Sequence, residues 1–192
     1  MDKQTFNELI SAERILYLTD TPSKQKQMKR SKHKRYYIWK YLYYFRCCQF
    51  YQEQRSLKSL SSFERRLAKY KFKYYEKMKN IYSYKSGIEI GLNSHIGKNC
   101  DIWHSGVVIN GNIGENCVFH GNNTIGNKGI GNEIDVPTLG NGVDIGVGAI
   151  IIGGITISDN CTIGAGAVVT KSFDTAKSII VGVPGRIINK NV

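Results

Sequence analysis

The sequence predicts a mainly β chain, a prism of short stacked parallel strands preceded by an α-helical region, and two observations carry that prediction. The first is a period of six. Hexads led by an aliphatic or aromatic residue read IGLNSH from Ile90, IGKNCD from Ile96, IWHSGV from Ile102, IGENCV from Ile113, FHGNNT from Phe119 and IGNKGI from Ile125. From Leu139 they continue as LGNGVD, IGVGAI, IIGGIT, ISDNCT and IGAGAV. A helix needs apolar spacing near 3.6 and a lone strand near 2, so a sustained six lays strands around a polygon, one face per repeat. The second observation is a split in composition. Residues 1–80 carry 20 Lys and Arg against 7 Asp and Glu and ten of the twelve tyrosines, whereas residues 81–192 carry 7 against 8.

The basic segment, taken as 1–86, reads as two or three helices over 4–18, 32–56 and 60–79, with Pro22 as its breaker and Ile38, Tyr41, Leu42 and Phe45 at helical spacing. Two roles fit such helices: a cap whose tyrosines pack on the first coil, or a peripheral contact with an anionic membrane surface or acidic glycan. No nucleic-acid motif accompanies the charge, so no nucleic-acid partner is expected. No run of eighteen apolar residues is present, and Asp2, Glu8 and Glu13 stand where a signal peptide needs a basic start. A cytoplasmic place, peripheral at the inner face of the membrane, is the expectation. Five cysteines suggest no disulfide framework, since Cys47 and Cys48 are adjacent and the others fall in the repeat.

In the repeat, taken as 87–188, three hexads make one coil and coils stack at the strand spacing of roughly 4.8 Å. The eleven hexads therefore predict about four coils. Four positions after each guide residue the chain also points inward, where three converging faces leave room for small side chains: Ser94, Cys100, Gly106, Cys117, Ala149, Cys161 and Ala167, with Ile155 an exception. Glycine directly after the guide, as at Gly91, Gly97, Gly114, Gly126, Gly140, Gly146 and Gly164, suits a corner of unusual backbone angles. The period fails twice. Ile102 to Ile113 is one residue short of two hexads, and Ile125 to Leu139 is two residues longer than two, which predicts a loop at 127–138.

Proton abstraction from a hydroxyl near neutral pH calls for histidine, of which there are four. His33 lies in a solvated basic run and His95 faces outward in its hexad. His104 follows Trp103 in the hexad that ends at the first irregularity. Sixteen residues on, His120 is expected beside it on the next coil, as a site or a stacked polar ladder.

The segments GIEIGLNSHIG, IWHSGVVING, GENCVFHGNNTIGNKG, VPTLGNGVDIGVGAIIIGGITI, TIGAGAVVTKSF and VGVPGRI resemble the hexapeptide-repeat acyltransferases, in particular the serine acetyltransferase branch with its relatives that O-acetylate capsular and other surface polysaccharides. The resemblance covers about half the chain. It implies a left-handed parallel β-helix, acetyl-CoA as co-substrate without a metal, and a homotrimer with active sites between prisms. It also implies that His104 is the general base and that Glu89, fifteen residues earlier, orients it. Gly148, Ala149, Gly166 and Ala167 are implied as a ledge where backbone amides meet the pantetheine arm, with Lys171 and Arg186 near the CoA phosphates. Backbone amides, Asn122 or Asn123 are the candidates to stabilise the oxyanion.

Two departures from the family pattern stand out, the first bearing on the acceptor and the second on the exact position of the site. Enzymes acting on free serine usually carry a second histidine before the proline of the loop, where this chain has Val136 in IDVPTLG, and the stretch from His104 to Ile113 is about three residues shorter than is usual. The expected activity is transfer of acetyl to a sugar hydroxyl of a surface polysaccharide. Serine O-acetylation is the alternative. A zinc hydrase is disfavoured by His spacings of 9 and 16, and a non-catalytic scaffold or membrane-docking module is the alternative of another class.

Overall fold

The computed structural model describes residues 2–18, 21–131 and 134–188, and the contacts of the chain divide it into two units, Met1–Ile88 and Glu89–Val192. Residues 132 and 133 of the expected loop lie outside the described residues.

The first unit is helical. Helix α1 (Lys3–Tyr17) starts where the Asp2 carboxylate accepts the Thr5 N–H at 2.8 Å. Helix α2 (Pro22–Arg30) opens on proline and buries none of its residues. Helix α3 (Lys34–Gln54) carries the apolar positions read from the sequence, with Ile38, Tyr41, Leu42 and Phe45 buried. Helix α4 (Ser62–Ser86) is framed by a capping box between Ser61 and Glu64 and stopped by Gly87 at φ 68°. Among the described residues four helices thus replace the two or three expected. Helix α2 escaped because it has no buried stripe to set a period, and α4 runs past 79 because nothing stops it before the left-handed glycine.

The aromatic residues of this unit pack on one another: Tyr51 stacks on Tyr75 at 5.4 Å, Tyr44 meets Tyr82 at 5.3 Å, and Phe6 of α1 meets Phe50 of α3 at 5.0 Å. Beneath them Arg46 Nε and a terminal guanidinium nitrogen both reach Glu13 Oε1 at 2.8 Å, both side chains 3% exposed. Burial pushes the Glu13 carboxyl above its ordinary value despite the adjoining guanidinium.

The second unit is a β-solenoid of five coils. The first holds β1 (Ile88–Ile90), β2 (His95–Ile96) and β3 (Asp101–Ile102), and the second β4 (Val107–Ile109), β5 (Asn112–Ile113) and β6 (Val118–Phe119). The third holds β7 (Thr124–Gly126), β8 (Thr138–Leu139) and β9 (Asp144–Ile145), and the fourth β10 (Ile150–Ile152), β11 (Thr156–Ile157) and β12 (Thr162–Ile163). The fifth has β13 (Val168–Val169), a bridge from Phe173 to Ile157, and β14 (Ile179–Val181), against which β15 (Arg186–Ile188) runs antiparallel. Each face is one parallel sheet: β1-β4-β7-β10-β13, then β2-β5-β8-β11, then β3-β6-β9-β12-β14. We call these the first, second and third faces.

The count of about four coils is corrected to five by two stretches without a clean hexad: β4, inside the irregularity after Ile102, and the closing turn through Phe173 and Ile180. Guide residues stack on guide residues, Ile102 on Phe119 on Ile145 on Ile163 on Ile180, all buried. The small slot holds as read for Ser94, Cys100, Cys117, Ala149, Cys161 and Ala167. Gly106 is exposed instead, and Val107 fills the interior there.

None of the glycines after the guides has a left-handed angle, and all but Gly126, where a Cβ would meet nothing nearer than 3.9 Å, serve closeness. A Cβ on Gly97 would lie 2.5 Å from the Gly114 carbonyl oxygen, and one on Gly146 would lie 2.6 Å from the Ala165 nitrogen. Left-handed angles occur three residues after a guide, at Asn99, Asn116, Gly142 and Asn160 along one edge and at Gly148 and Gly166 along another. The expected loop leaves the prism between β7 and β8, with Ile130 and Ile134 almost wholly exposed.

Candidate active site

The edge where the third face turns into the first collects most of the residues singled out in the sequence. His104 occupies it on the first coil, exposed, directly after β3. Registers of Asp101 on Val118 and Ile102 on Phe119 make this step seventeen residues, so Gly121 lies against His104. A Cβ on Gly121 would stand 2.5 Å from the His104 Cβ, and φ there is +112°, so glycine is required on both counts.

The expectation that His120 lies beside His104 is therefore off by one residue. His120 faces Trp103: the rings are 4.4 Å apart between centroids and inclined at 57°. Its Nε2 is 2.7 Å from Asp144 Oδ1 on the coil beyond, and the Trp103 Nε1–H donates to Asp101 Oδ2 at 3.0 Å. A chain of four side chains results, Asp101, Trp103, His120 and Asp144, across the outside of the third face. Trp103 and Asp144 were not singled out. A period of six marks outward positions but not which outward neighbours touch, since that depends on the length of each coil.

Glu89 projects outward and exposed from β1, on the face into which the His104 corner leads. The two side chains are not hydrogen-bonded to each other. Asn123, an oxyanion candidate, is fully buried: its Oδ1 accepts the Gly121 N–H at 2.9 Å and its Nδ2 donates to the Gly146 carbonyl at 2.8 Å. It braces the corner under His104 and is withdrawn as an oxyanion donor, whereas Asn122 is exposed at that corner with φ 53°.

Farther along the same edge Gly148 and Gly166 succeed one another, and a Cβ on Gly166 would meet nothing within 4 Å. Gly148 and Gly166 leave this edge bare of side chains, but without the other features of the expected ledge. Ala149 and Ala167 are fully buried and fill the prism. The N–H groups are engaged inside the stack, Gly148 to the Gly121 carbonyl and Gly166 to the Val147 carbonyl, both at 2.9 Å. Arg186, exposed on β15, pairs with Val181, one residue before the Gly182 turn of the same edge. Lys171 is exposed past the far end of β13, its Nζ 5.4 Å from the centre of the Phe173 ring, and so belongs to the next edge. Among the described residues no three His, Cys, Asp or Glu side chains gather as a metal site, and no helix is long and apolar enough to cross a membrane.

Similarity to known proteins is consistent with this geometry. The chain is 36% identical over 109 residues to the serine acetyltransferase of Synechococcus elongatus, covering 55% of this chain and 44% of that protein. It is 39% identical over 105 residues to the putative colanic acid biosynthesis acetyltransferase WcaB of Escherichia coli, covering 53% and 63%. Among solved structures, soybean serine acetyltransferase aligns with TM-score 0.69 at 22% identity, covering 97% of this chain and 70% of that one. That of Neisseria gonorrhoeae aligns with TM-score 0.67 at 23% identity, covering 100% and 69%.

The prism is a left-handed β-helix of the serine acetyltransferase kind. The resemblance to hexapeptide-repeat acyltransferases is thus found both in the aligned hexads and in the fold of this β-helix. No protein-family profile matches the chain. The chain spans about half the length of the curated relatives it matches first.

Proposed function

We propose that this protein is an acetyl-CoA-dependent O-acetyltransferase whose acceptor is a sugar hydroxyl of a surface polysaccharide or its precursor. The observation that carries the reading is the single edge: His104 on the first coil, the bare glycines 148 and 166 beyond it, and the Arg186 guanidinium at the far end. At roughly 4.8 Å per coil, four steps put those ends about 19 Å apart, suited to an extended pantetheine arm with its phosphates at the cation and its thioester at the histidine. Lys171, on the next edge, is kept as a second cation for the nucleotide end.

In the reaction so assigned, His104 accepts the proton of the acceptor hydroxyl as the oxygen attacks the thioester carbonyl. The carbonyl electrons move onto oxygen, where Asn122 is placed to donate a hydrogen bond. Collapse breaks the C–S bond, CoA thiolate departs, and the imidazolium returns its proton to the thiolate or to water. Glu89, on the adjoining first face, is assigned the positioning of the protonated ring. His120 is assigned no proton transfer, because it lies one residue out of line with His104, against Trp103 and Asp144 on the outside of the third face and not at the edge.

The sugar acceptor is favoured over serine by Val136, half-buried before Pro137 where a serine-specific enzyme would carry histidine, and by the likeness to WcaB. The likeness to named serine acetyltransferases keeps serine as the second reading. A homotrimer is part of the proposal: Val108, Val147 and Ile150 leave apolar surface on and beside the first face, 41%, 48% and 36% exposed, and light scattering reports the state.

The deciding experiment incubates the protein with acetyl-CoA and either sugar acceptors or free serine, and reads the acetylated product by mass spectrometry. His104→Ala is expected to lose about 10²–10⁴ in kcat while still binding CoA by calorimetry. Near-wild-type turnover by that variant removes His104 as the base.

A further inference from the structure

Trp103 is a large apolar side chain left 46% exposed immediately before the proposed base, and it is not loose. One end is tied by the Nε1–H bond to Asp101 at 3.0 Å, and the ring rests against His120, which is itself held by Asp144 at 2.7 Å. An indole fixed in one orientation, with remaining surface open to solvent, is a preorganised plate whose ordering cost is met before any ligand arrives. Its surroundings restrict what binds. The Asp101 and Asp144 carboxylates flank it, which disfavours a negatively charged group at this end of the site. An apolar plate rimmed by hydrogen-bonding groups matches a ligand with a flat C–H surface and hydroxyls around its edge, because polarised C–H bonds are attracted to an indole face while the rim groups bond to hydroxyls. Free serine has no such surface.

We infer that Trp103 is the acceptor platform, on which a neutral pyranose ring stacks and so brings one hydroxyl to His104. His120 and Asp144 are the positioning residues that hold the plate. This inference rests on the proposed acetyl transfer for its second half, but the stacking itself is independent of catalysis.

The test uses the full chain with Trp39→Phe, which leaves Trp103 as the one indole of the two in the sequence. Its emission is titrated, without acetyl-CoA, with neutral gluco-, galacto- and manno-oligosaccharides and separately with serine. A saturable change with a neutral oligosaccharide and none with serine is the expected result. In turnover, Trp103→Ala is expected to raise the KM for the saccharide about tenfold or more, the scale of a lost aromatic stack, with the KM for acetyl-CoA unchanged. Trp103→Phe, which keeps a plate and the fold, should recover most of that loss.

The two proposals fail separately. A saccharide that alters Trp103 emission but is never acetylated leaves the platform standing and removes the transferase reading. Acetylation of a sugar with silent emission and an unchanged saccharide KM in both variants overturns the platform and leaves the transferase reading. Blue-shifted emission that no oligosaccharide alters shows Trp103 covered by a second copy of the chain, and also overturns it.

Discussion

Gly121→Ala is the substitution that most directly tests the placement of His104. The added methyl would lie 2.5 Å from the His104 Cβ and 3.2 Å from the Ser105 carbonyl oxygen, where ordinary contacts are 3.4–4 Å. Relief therefore requires the His104 backbone to move by about 1 Å, and a displacement of that size in a reacting group costs on the order of 10²-fold in rate. A second effect is separate. At φ +112° an alanine is strained by about 1–3 kcal/mol, which lowers Tm by roughly 2–4 °C per kcal/mol in a chain of this size. The assay is steady-state acetyl transfer beside a thermal melt and a CoA titration. We expect kcat to fall about 10²-fold, Tm to fall by several degrees, and CoA affinity to fall less than kcat, because the added methyl meets only His104 and Ser105 on the preceding coil, whereas Gly148, whose N–H bonds the Gly121 carbonyl, lies on the following coil and Gly166 on the one after it. A variant that melts cooperatively, binds CoA and keeps kcat within about twofold of wild type would falsify the claim that the reaction depends on His104 being seated over Gly121.

Two further predictions concern the helical unit. Glu13→Ala leaves the Arg46 guanidinium buried without its carboxylate and should destabilise that unit by about 3–5 kcal/mol, whereas the double change Glu13→Met with Arg46→Leu should be far milder, read from urea melts. Burial pushes the Cys47 and Cys48 thiols and the Tyr44 hydroxyl up to about 12. These groups therefore hold their protons more tightly folded than unfolded, so their contribution to stability is complete below their ordinary values and is lost as pH rises toward about 12. Alkaline unfolding followed by circular dichroism should begin in that window, and thiol-reactive dyes at pH 8 should label both cysteines only after denaturation.

What was legible in the sequence is what a period can encode. Ile102, Phe119, Ile145 and Ile163 announce their own stacking, because every guide residue is buried against the guide of the next coil. The glycine following a guide was legible as a requirement, but its cause was not: closeness between coils and a left-handed angle both favour glycine, and only the backbone separates Gly97 from Gly148. Helix α2 was silent because a helix without buried residues has no stripe to read. In the candidate site, His104 was legible as an irregular position and the glycine edge as a run of small residues. The buried ends of that run, Ala149 and Ala167, were not distinguishable from its exposed glycines, since both inward slots and bare ledges select small side chains.

The one-residue deficit between Ile102 and Ile113 deserves a physical account, because its halves act in opposite directions. In the structure the stretch contains a guide of its own, Ile109, which stacks on Ile125. Phe119 to Ile125, Ile145 to Ile151 and Ile163 to Val169 each pass from the third face to the first in six residues, but Ile102 to Ile109 takes seven. The next passage, Ile109 to Ile113, takes four. The corner holding His104 is thus one residue longer than its neighbours, and the following corner, closed by Asn110 and Gly111, is two residues shorter. An added residue cannot be taken into a close-packed prism without breaking guide-on-guide register, so it bulges just after His104. Trp103 is still opposite His120 and His104 opposite Gly121, but the Asn122 N–H meets the Ser105 carbonyl, which puts Gly106 opposite Asn122 and leaves Ser105 as the extra residue. The short second corner then restores register at Ile113, so that Leu139 and every later guide stack without error. Sequence arithmetic sees only the sum of the two, a coil lacking one residue. The structure shows a bulge at Ser105 and its compensation, and the bulge adjoins the proposed base.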